Sequence, residues 1–240
     1  LDKWLNQIIQ GDCLEVMREL PDKSVDMILT DIPYGNVSKH GAERAKYSGQ
    51  LRALDKGSAD IETFNINDFI QECYRVAKGS IYIFCGIPQV SEIFSFFEEK
   101  QDVMTRHCIW EKTNPSPMNG EHMWLSSTED CVYAKFRKTP FNQKCKSSVW
   151  KFPCGRSKQH PTEKPLKLFE YLAESSSNAG DIIFDPCIGS GTTAVAALNT
   201  GRFFIGIEKE PAYVDIARKR VEQAQMQQSL FQGGELIATE

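Results

Sequence analysis

Residues 181–199 constrain this chain more than any other stretch. The run Asp181-Ile182-Ile183-Phe184-Asp185 reads as a buried strand after a turn at Asn178-Ala179-Gly180. It passes directly into Pro186-Cys187-Ile188-Gly189-Ser190-Gly191-Thr192-Thr193 and the apolar helix Ala194–Asn199. A strand, a glycine loop and a helix N-terminus in that order belong to open α/β sheets, and the loop lets a nucleotide-type ligand approach the backbone. One more strand, Arg202–Glu208, ends in an acid. A helix over 210–228 carrying Tyr213, Ile216, Ala217 and Val221 closes the fold, with a frayed tail expected after Gln228.

The rest of the chain alternates in the same way. Strands are predicted at 7–10, 25–30, 80–85, 106–111 and 130–135. Helices are predicted after Gly11-Asp12-Cys13, over about 66–78, from Pro88 to Lys100, and from the His160–Pro165 segment to about Ser175. With 240 residues, 41% hydrophobic and 25% charged, a single domain spanning 1–240 accounts for the whole pattern. Between 36 and 65 the periodicity disappears. A structureless stretch that long is expected to be a mobile loop closing over a site, or else a dispensable surface insertion.

A second motif follows the strand at 25–30: Thr30-Asp31-Ile32-Pro33-Tyr34-Gly35. The carboxyl end of a strand is where such sheets place their chemistry. Pro33 fixes its own φ and pushes Ile32 into an extended conformation, so that the Asp31 carboxylate and the Ile32 carbonyl converge as two acceptors. Tyr34 adds a flat ring able to stack on a base. The natural guest is an exocyclic amino group on a planar heterocycle; the plain alternative is a strand ending at an Asp-x-Pro turn. Asp12 sits at an equivalent strand end, as a helix cap or a ligand contact. Trp110, Met118, His122, Met123 and Trp124, close to prolines 115 and 117, either join the core or wall a pocket.

Net charge of −4 and a pI near 5.7 exclude a protein that coats nucleic acid by bulk charge. Only residues 135–158 carry a phosphate-binding footprint. Lys135, Arg137, Lys138, Lys144, Lys146, Lys151, Arg156 and Lys158 occur there without an acid, interleaved with Phe136, Phe141, Trp150 and Phe152. A solvated charged loop is the alternative. No apolar run is long enough to span a bilayer and no signal-peptide pattern opens the chain, so no membrane association and a cytoplasmic location are expected. The eight cysteines form no Cys-x-x-Cys pair and the four histidines have no zinc spacing, so no metal is expected.

Gly189-x-Gly191-x-x-Ala194 with Glu208 downstream also satisfies the dinucleotide fingerprint, which makes a nicotinamide oxidoreductase a rival. Against it, Asp185 immediately before the loop would repel a pyrophosphate and attract an ammonium. The motif also begins too late in the chain for a six-stranded double unit to follow. S-adenosylmethionine has an adenosine ribose and an ammonium but no phosphate, and fits better.

With both motifs in place, the chain resembles the amino-methyltransferases of DNA, which act on adenine N6 or cytosine N4. More narrowly, it resembles their permuted (beta) group, in which an Asp-Pro-Pro-Tyr-type motif, here Asp31–Tyr34, precedes the cofactor motif, here Asp185–Thr193. The resemblance covers about 5–220. It implies an α/β, Rossmann-like S-adenosylmethionine-dependent methyltransferase fold with a seven-stranded, mostly parallel sheet in circularly permuted motif order, its last two strands taking the first two spatial positions. It also implies roles for individual residues. Asp185, Gly189, Gly191, Thr192 and Thr193, with Pro186 and Ser190, hold the methionine end of the cofactor. Glu208 binds the ribose, and Asp12 with Cys13 recognises the adenine. Lys164, with Thr162 nearby, meets the methionine carboxylate, and Asp31 borders the cofactor as well as the target. Asp31, the Ile32 carbonyl, Pro33 and Tyr34 hold a flipped base; Ile32 replaces the commoner Pro, but the contact uses a main-chain carbonyl.

The resemblance further implies a double-stranded DNA substrate, with segment 135–158 as a recognition insertion. It leaves room for a homodimer and for a cognate restriction enzyme as partners. Methylation of cytosine at C5 would need a thiolate such as that of Pro153-Cys154, which lies in the basic segment and not at a strand end. Asp at position 31 favours adenine N6. Cytosine N4 is the rival within the fold, and a non-catalytic DNA-binding subunit is the rival from another class.

Overall fold

The computed structural model describes residues 1–34, 65–117, 120–155 and 164–234. Among these, eight strands form one sheet: β1 (Gln7–Gln10), β2 (Val25–Asp31), β3 (Ala77–Cys85), β4 (Val103–Lys112), β5 (Thr128–Phe136), β6 (Val149–Phe152), β7 (Ile182–Asp185) and β8 (Phe203–Glu208). Their spatial order is β1-β8-β7-β2-β3-β5-β4-β6. Of these strands, β5 alone runs against its two neighbours; the other pairings are parallel.

The seven expected strands are all present, and β6 is an eighth. Within the basic segment, Val149-Trp150-Lys151-Phe152 alternates across the sheet, burying Trp150 while Lys151 stays exposed. Its short length and its lysine hid that alternation from the sequence. A second correction concerns the edge: β1, not β7 or β8, takes the outermost place, so the last two strands are second and third in the order.

Six described α-helices cover the two faces: α1 (Cys13–Glu19), α2 (Ile66–Val76), α3 (Ile87–Glu98), α4 (Leu166–Ser176), α5 (Thr192–Asn199) and α6 (Pro211–Gly234). Alternate residues of β2 divide the core. Met27 and Leu29 pack with Leu168, Phe169, Ala194 and Ala217 from α4, α5 and α6. Ile28 packs with Met17, Phe69, Ile70, Ile93 and Phe97 from α1, α2 and α3. α6 continues to Gly234, past the point where the tail was expected to fray.

Helix starts follow the local chemistry. The Asp12 side chain accepts from the Leu14 and Glu15 amides, and that of Asn65 from the Asn67 and Asp68 amides. Of the expected loop at 36–65, only Asn65 falls within the described residues. No described helix is long and apolar enough to cross a membrane.

The strand order reverses direction between β7 and β2. From β7 the chain proceeds through α5 to β8 on one side, and from β2 to β3 on the other. In a parallel sheet this leaves a crevice at the carboxyl ends of the two strands. β7 ends at Asp185 and β2 at Asp31.

Candidate active site

The glycine loop is a compact backbone turn between β7 and α5. Gly191 has φ +89°, and a Cβ there would lie 3.1 Å from Ala217 of α6, so both conformation and packing require glycine. Gly189 has φ +51°, and a Cβ there would meet nothing within 4 Å, so this residue opens onto free space beside the loop. Its amide donates to Glu208 Oε2 (2.9 Å), while Glu208 Oε1 accepts from the Glu210 amide (2.9 Å). The acid that ends β8 is thus tied to the glycine loop.

Asp185 is 3% exposed. It accepts from the Cys187 amide through Oδ1 (3.0 Å) and from the Thr193 hydroxyl through Oδ2. Burial raises its carboxyl to about 7, with the Thr193 hydrogen bond acting against the rise. Cys13, the first residue of α1, shares a hydrogen bond with Cys187 that holds the Cys13 thiol below its ordinary value. Asp12, Cys13, Asp185–Thr193 and Glu208 therefore gather along the ends of β1, β8 and β7. Ser190 and Thr192 do not face open space alone: Arg220 of α6 donates to the Ser190 carbonyl and hydroxyl (2.8 and 2.9 Å).

These residues fit an S-adenosylmethionine-type ligand. The space beside Gly189 is bounded by the Glu208 carboxylate, suited to a diol, and a buried acid lies at the opposite end of the loop, suited to a cation. A pyrophosphate would meet the Glu208 carboxylate and the Asp185 acid, with Arg220, hydrogen-bonded to Ser190, as the basic side chain at the loop.

Across the crevice, the Asp31 motif is held by contacts distant in sequence. The Ile32 amide donates to the Phe84 carbonyl (3.1 Å), extending the β2–β3 ladder by one residue. Gln89 of α3 donates to the Pro33 carbonyl (2.9 Å) and accepts from the Gly86 amide (2.9 Å), stapling the motif to the β3–α3 turn. Lys164, immediately before Pro165 and α4, is 7% exposed. Its Nζ lies 2.6 Å from Asp31 Oδ2, 2.9 Å from Glu129 Oε2 and 3.1 Å from the Tyr34 hydroxyl. The Tyr34 hydroxyl in turn lies 3.2 Å from Glu129 Oε2, and Glu129 Oε1 lies 2.8 Å from Lys112 Nζ.

This cluster sets the charges. Burial alone would lower the Lys164 ammonium, but Asp31 and Glu129 outweigh it and hold it above its ordinary value. Burial would raise Glu129, but Lys164 and Lys112 hold it below the usual carboxylate range. For Asp31 burial wins, and its carboxyl sits above that range despite Lys164. Tyr34 is pushed well above its ordinary value by burial and the two carboxylates, and stays a neutral phenol. Asp31 Oδ1 is buried with no hydrogen-bond partner among the described residues, although 32% of the side chain is accessible. An unpaired buried carboxylate oxygen is costly unless a ligand completes it.

A lysine has three N–H donors, and in this structure those of Lys164 meet Asp31, Glu129 and Tyr34. Glu129 and Lys112 escape a reading of the sequence; an acid at the start of an otherwise apolar strand is the available signal. Trp110 is core, 2% exposed, whereas Trp124 is 95% exposed.

The basic segment divides. Lys135, Arg137 and Lys138 lie at the far end of the sheet: Lys135 pairs with Ser80 near the start of β3 and is buried, and Arg137 donates to the Gln101 carbonyl. A charge run across a strand end looks continuous in sequence while its members point to different places. Lys144 and Lys146 are exposed between Asn142, docked on the C-terminal end of α4, and β6. Lys151 is at the Asp31 end, 3.2 Å from Glu111. Thr162, Arg156 and Lys158 lie outside the described residues. Among the described residues no group of His, Cys, Asp and Glu is arranged to hold a metal ion.

An α/β sheet with a glycine loop and an acceptor-bearing Asp-Ile-Pro-Tyr motif on either side of its switch point defines a Rossmann-like methyltransferase architecture. A family model described as DNA methylase, of the N6/N4 methyltransferase type, matches residues 25–219, and the chain belongs to that family. It is 30% identical to the type II methyltransferase M.HinfI of Haemophilus influenzae, over 92% of this chain and 69% of that protein. It is also 30% identical to the type II methyltransferase M2.DpnII of Streptococcus pneumoniae, over 90% and 89%. Among solved structures, the M1.HpyAVI–SAM complex superposes with a TM-score of 0.65 at 29% identity, covering 89% of this chain and 98% of that one. The cytosine-N4-specific PvuII methyltransferase shares the fold, with a TM-score of 0.67 at 16% identity over 88% and 84%.

Proposed function

We propose that this protein transfers a methyl group from S-adenosylmethionine to the exocyclic N6 amino group of adenine in double-stranded DNA, after the base has left the duplex. The observation that carries the reading is the buried, unpartnered Oδ1 of Asp31, the residue that ends β2 at the switch point beside β7. The cofactor supplies an electrophilic methyl on a sulfonium. Glu208 binds its ribose hydroxyls, the Gly189–Thr193 turn lets it approach the backbone, and Asp12 and Cys13 border its adenine.

An aromatic amino group is a weak nucleophile because its lone pair is delocalised into the ring. Asp31 Oδ1 and the Ile32 carbonyl accept its two hydrogens, which favours a pyramidal nitrogen with its lone pair free for in-line attack. The bound cofactor would supply the methyl, leaving as the neutral thioether, and Asp31 would take the surplus amino proton. Tyr34, neutral and fixed through its hydroxyl, supplies the stacking face for the extruded base. Asp at position 31 supports adenine over cytosine N4.

Asp31→Asn and Asp31→Ala test the reading. Both are expected to bind S-adenosylmethionine with wild-type affinity by calorimetry and to lose methyl transfer to DNA by roughly a thousandfold. Full activity in Asp31→Ala would refute the role given to this motif. Wild-type protein that binds cofactor but methylates no DNA would favour a non-catalytic subunit.

A further inference from the structure

We infer that Glu129, which nothing in the chain's two motifs marks, is a positioning residue for methyl transfer: it fixes Lys164 and Tyr34 so that Asp31 presents Oδ1, and only Oδ1, to the target amino group. The inference rests on the reading of Asp31 given above.

Glu129 stands near the start of β5, the described strand that runs antiparallel to its neighbours, at the sheet end where β2 and β3 finish. Its Oε2 takes both Lys164 Nζ (2.9 Å) and the Tyr34 hydroxyl (3.2 Å), the two groups that flank Asp31. Its Oε1 is anchored by Lys112 of β4 at 2.8 Å. Asp31, Lys164, Glu129 and Lys112 thus form an alternating, neutral chain of charges from four separate parts of the chain.

Lys164 facing Asp31 alone would be free to bridge both carboxylate oxygens. The pull of Glu129 from the other side holds it on Oδ2 at 2.6 Å and leaves Oδ1 unpartnered. Lys164 donates to the Tyr34 hydroxyl, which must then donate onward to Glu129, so the direction of that hydrogen bond and the position of the ring are fixed together. Glu129 touches no reacting atom; it acts through Lys164 and Tyr34.

The groups facing Asp31 are Lys164, Tyr34, Glu129 of β5, Asp185 of β7 and Cys85 of β3. Glu129 is a negative charge that opposes ionisation of Asp31, so removing it makes Asp31 ionise at lower pH. That shift follows from the charge whatever else Glu129 does, so positioning is read from the loss of kcat at unchanged cofactor affinity and its recovery by the conservative Glu129→Asp.

The test is Glu129→Gln, which keeps the shape and removes the charge, assayed for kcat, DNA KM, cofactor affinity and the pH profile of kcat, with Glu129→Asp and Asp31→Ala in parallel. Glu129→Gln is expected to lower kcat about a hundredfold with cofactor affinity unchanged, and to shift the acid limb of the kcat profile to lower pH. Glu129→Asp restores the charge and is expected to return the acid limb to its wild-type position and recover part of kcat.

If Glu129→Gln does not fold, Lys112→Met, which keeps the Glu129 charge and removes its anchor, takes its place and is expected to lower kcat with DNA KM unchanged. A kcat within about twofold of wild type for Glu129→Gln, or a loss with the acid limb unmoved, overturns the inference; so does an unchanged kcat for Lys112→Met. An inactive Asp31→Ala beside a fully active Glu129→Gln defeats the inference alone, whereas an active Asp31→Ala defeats the underlying reading.

Discussion

The two sides of the crevice are built on different principles. On the β7–β8 side the ligand space is shaped by backbone: a glycine at φ +89°, an amide on Glu208, an amide and a hydroxyl on Asp185, all close together in sequence. On the β2 side it is shaped by charges brought together across the fold, with Lys164 lying 133 residues from Asp31 and Glu129 95 residues from Tyr34. The first side is satisfied internally and adjoins open space for a ligand. The second holds a carboxylate oxygen, Asp31 Oδ1, without a partner among the described residues, and the proposed chemistry depends on that deficit. A cofactor pocket can be robust because it only binds; a transfer site has to hold an uncomfortable group in place.

The sharpest separation of the two sides is functional. Asp31→Ala is expected to remove methyl transfer almost completely while cofactor binding survives, whereas Glu208→Ala is expected to weaken cofactor binding first. A combined loss in Asp31→Ala would break the comparison, because the two sides would then be one unit.

Next in size is a stability effect confined to the cofactor side. In the fold Asp185 keeps its proton up to about pH 7, while an unfolded aspartate loses it near 3.8. Between those values the unfolded chain binds fewer protons than the folded one, so stability falls as pH rises through this window and levels off above about 7. Asp185→Asn should flatten that slope in urea titrations of the ligand-free protein, by an amount on the order of a few kcal/mol across the window. An unchanged slope would mean that the buried acid is ionised throughout.

Smaller still is Gly191→Ala, which must adopt a positive φ and crowd Ala217. It is expected to cost about 1–2 kcal/mol in unfolding free energy and to weaken cofactor binding. Smallest is Arg137→Ala at the far end of the sheet, expected to leave methyl transfer and the salt dependence of DNA binding unchanged. Neutralising Lys151 at the Asp31 end should flatten that dependence instead.

The same contrast explains what could be read from the sequence. The glycine loop, the Asp31 motif and seven strands were legible because each is a local pattern of periodicity and turn chemistry. Asp12 reads equally as cap or contact in sequence, and its cap role is visible in the fold. Glu129 and Lys112 were not legible, because what makes them part of the site is a β5–β4 register and a lysine far along the chain. The basic segment illustrates the opposite case. Lys135 through Lys158 look like one patch in sequence, yet Lys135 is buried at one end of the sheet and Lys151 is exposed at the other.

The most direct measurement is to incubate the protein with methyl-labelled S-adenosylmethionine and mixed genomic DNA, digest to nucleosides, and identify the labelled one by chromatography. The account predicts label in N6-methyladenine. Label in N4-methylcytosine would keep the two-acceptor mechanism and change the base. Label in 5-methylcytosine, a product that needs no acceptor pair on an amino group, would contradict the role assigned to Asp31 Oδ1.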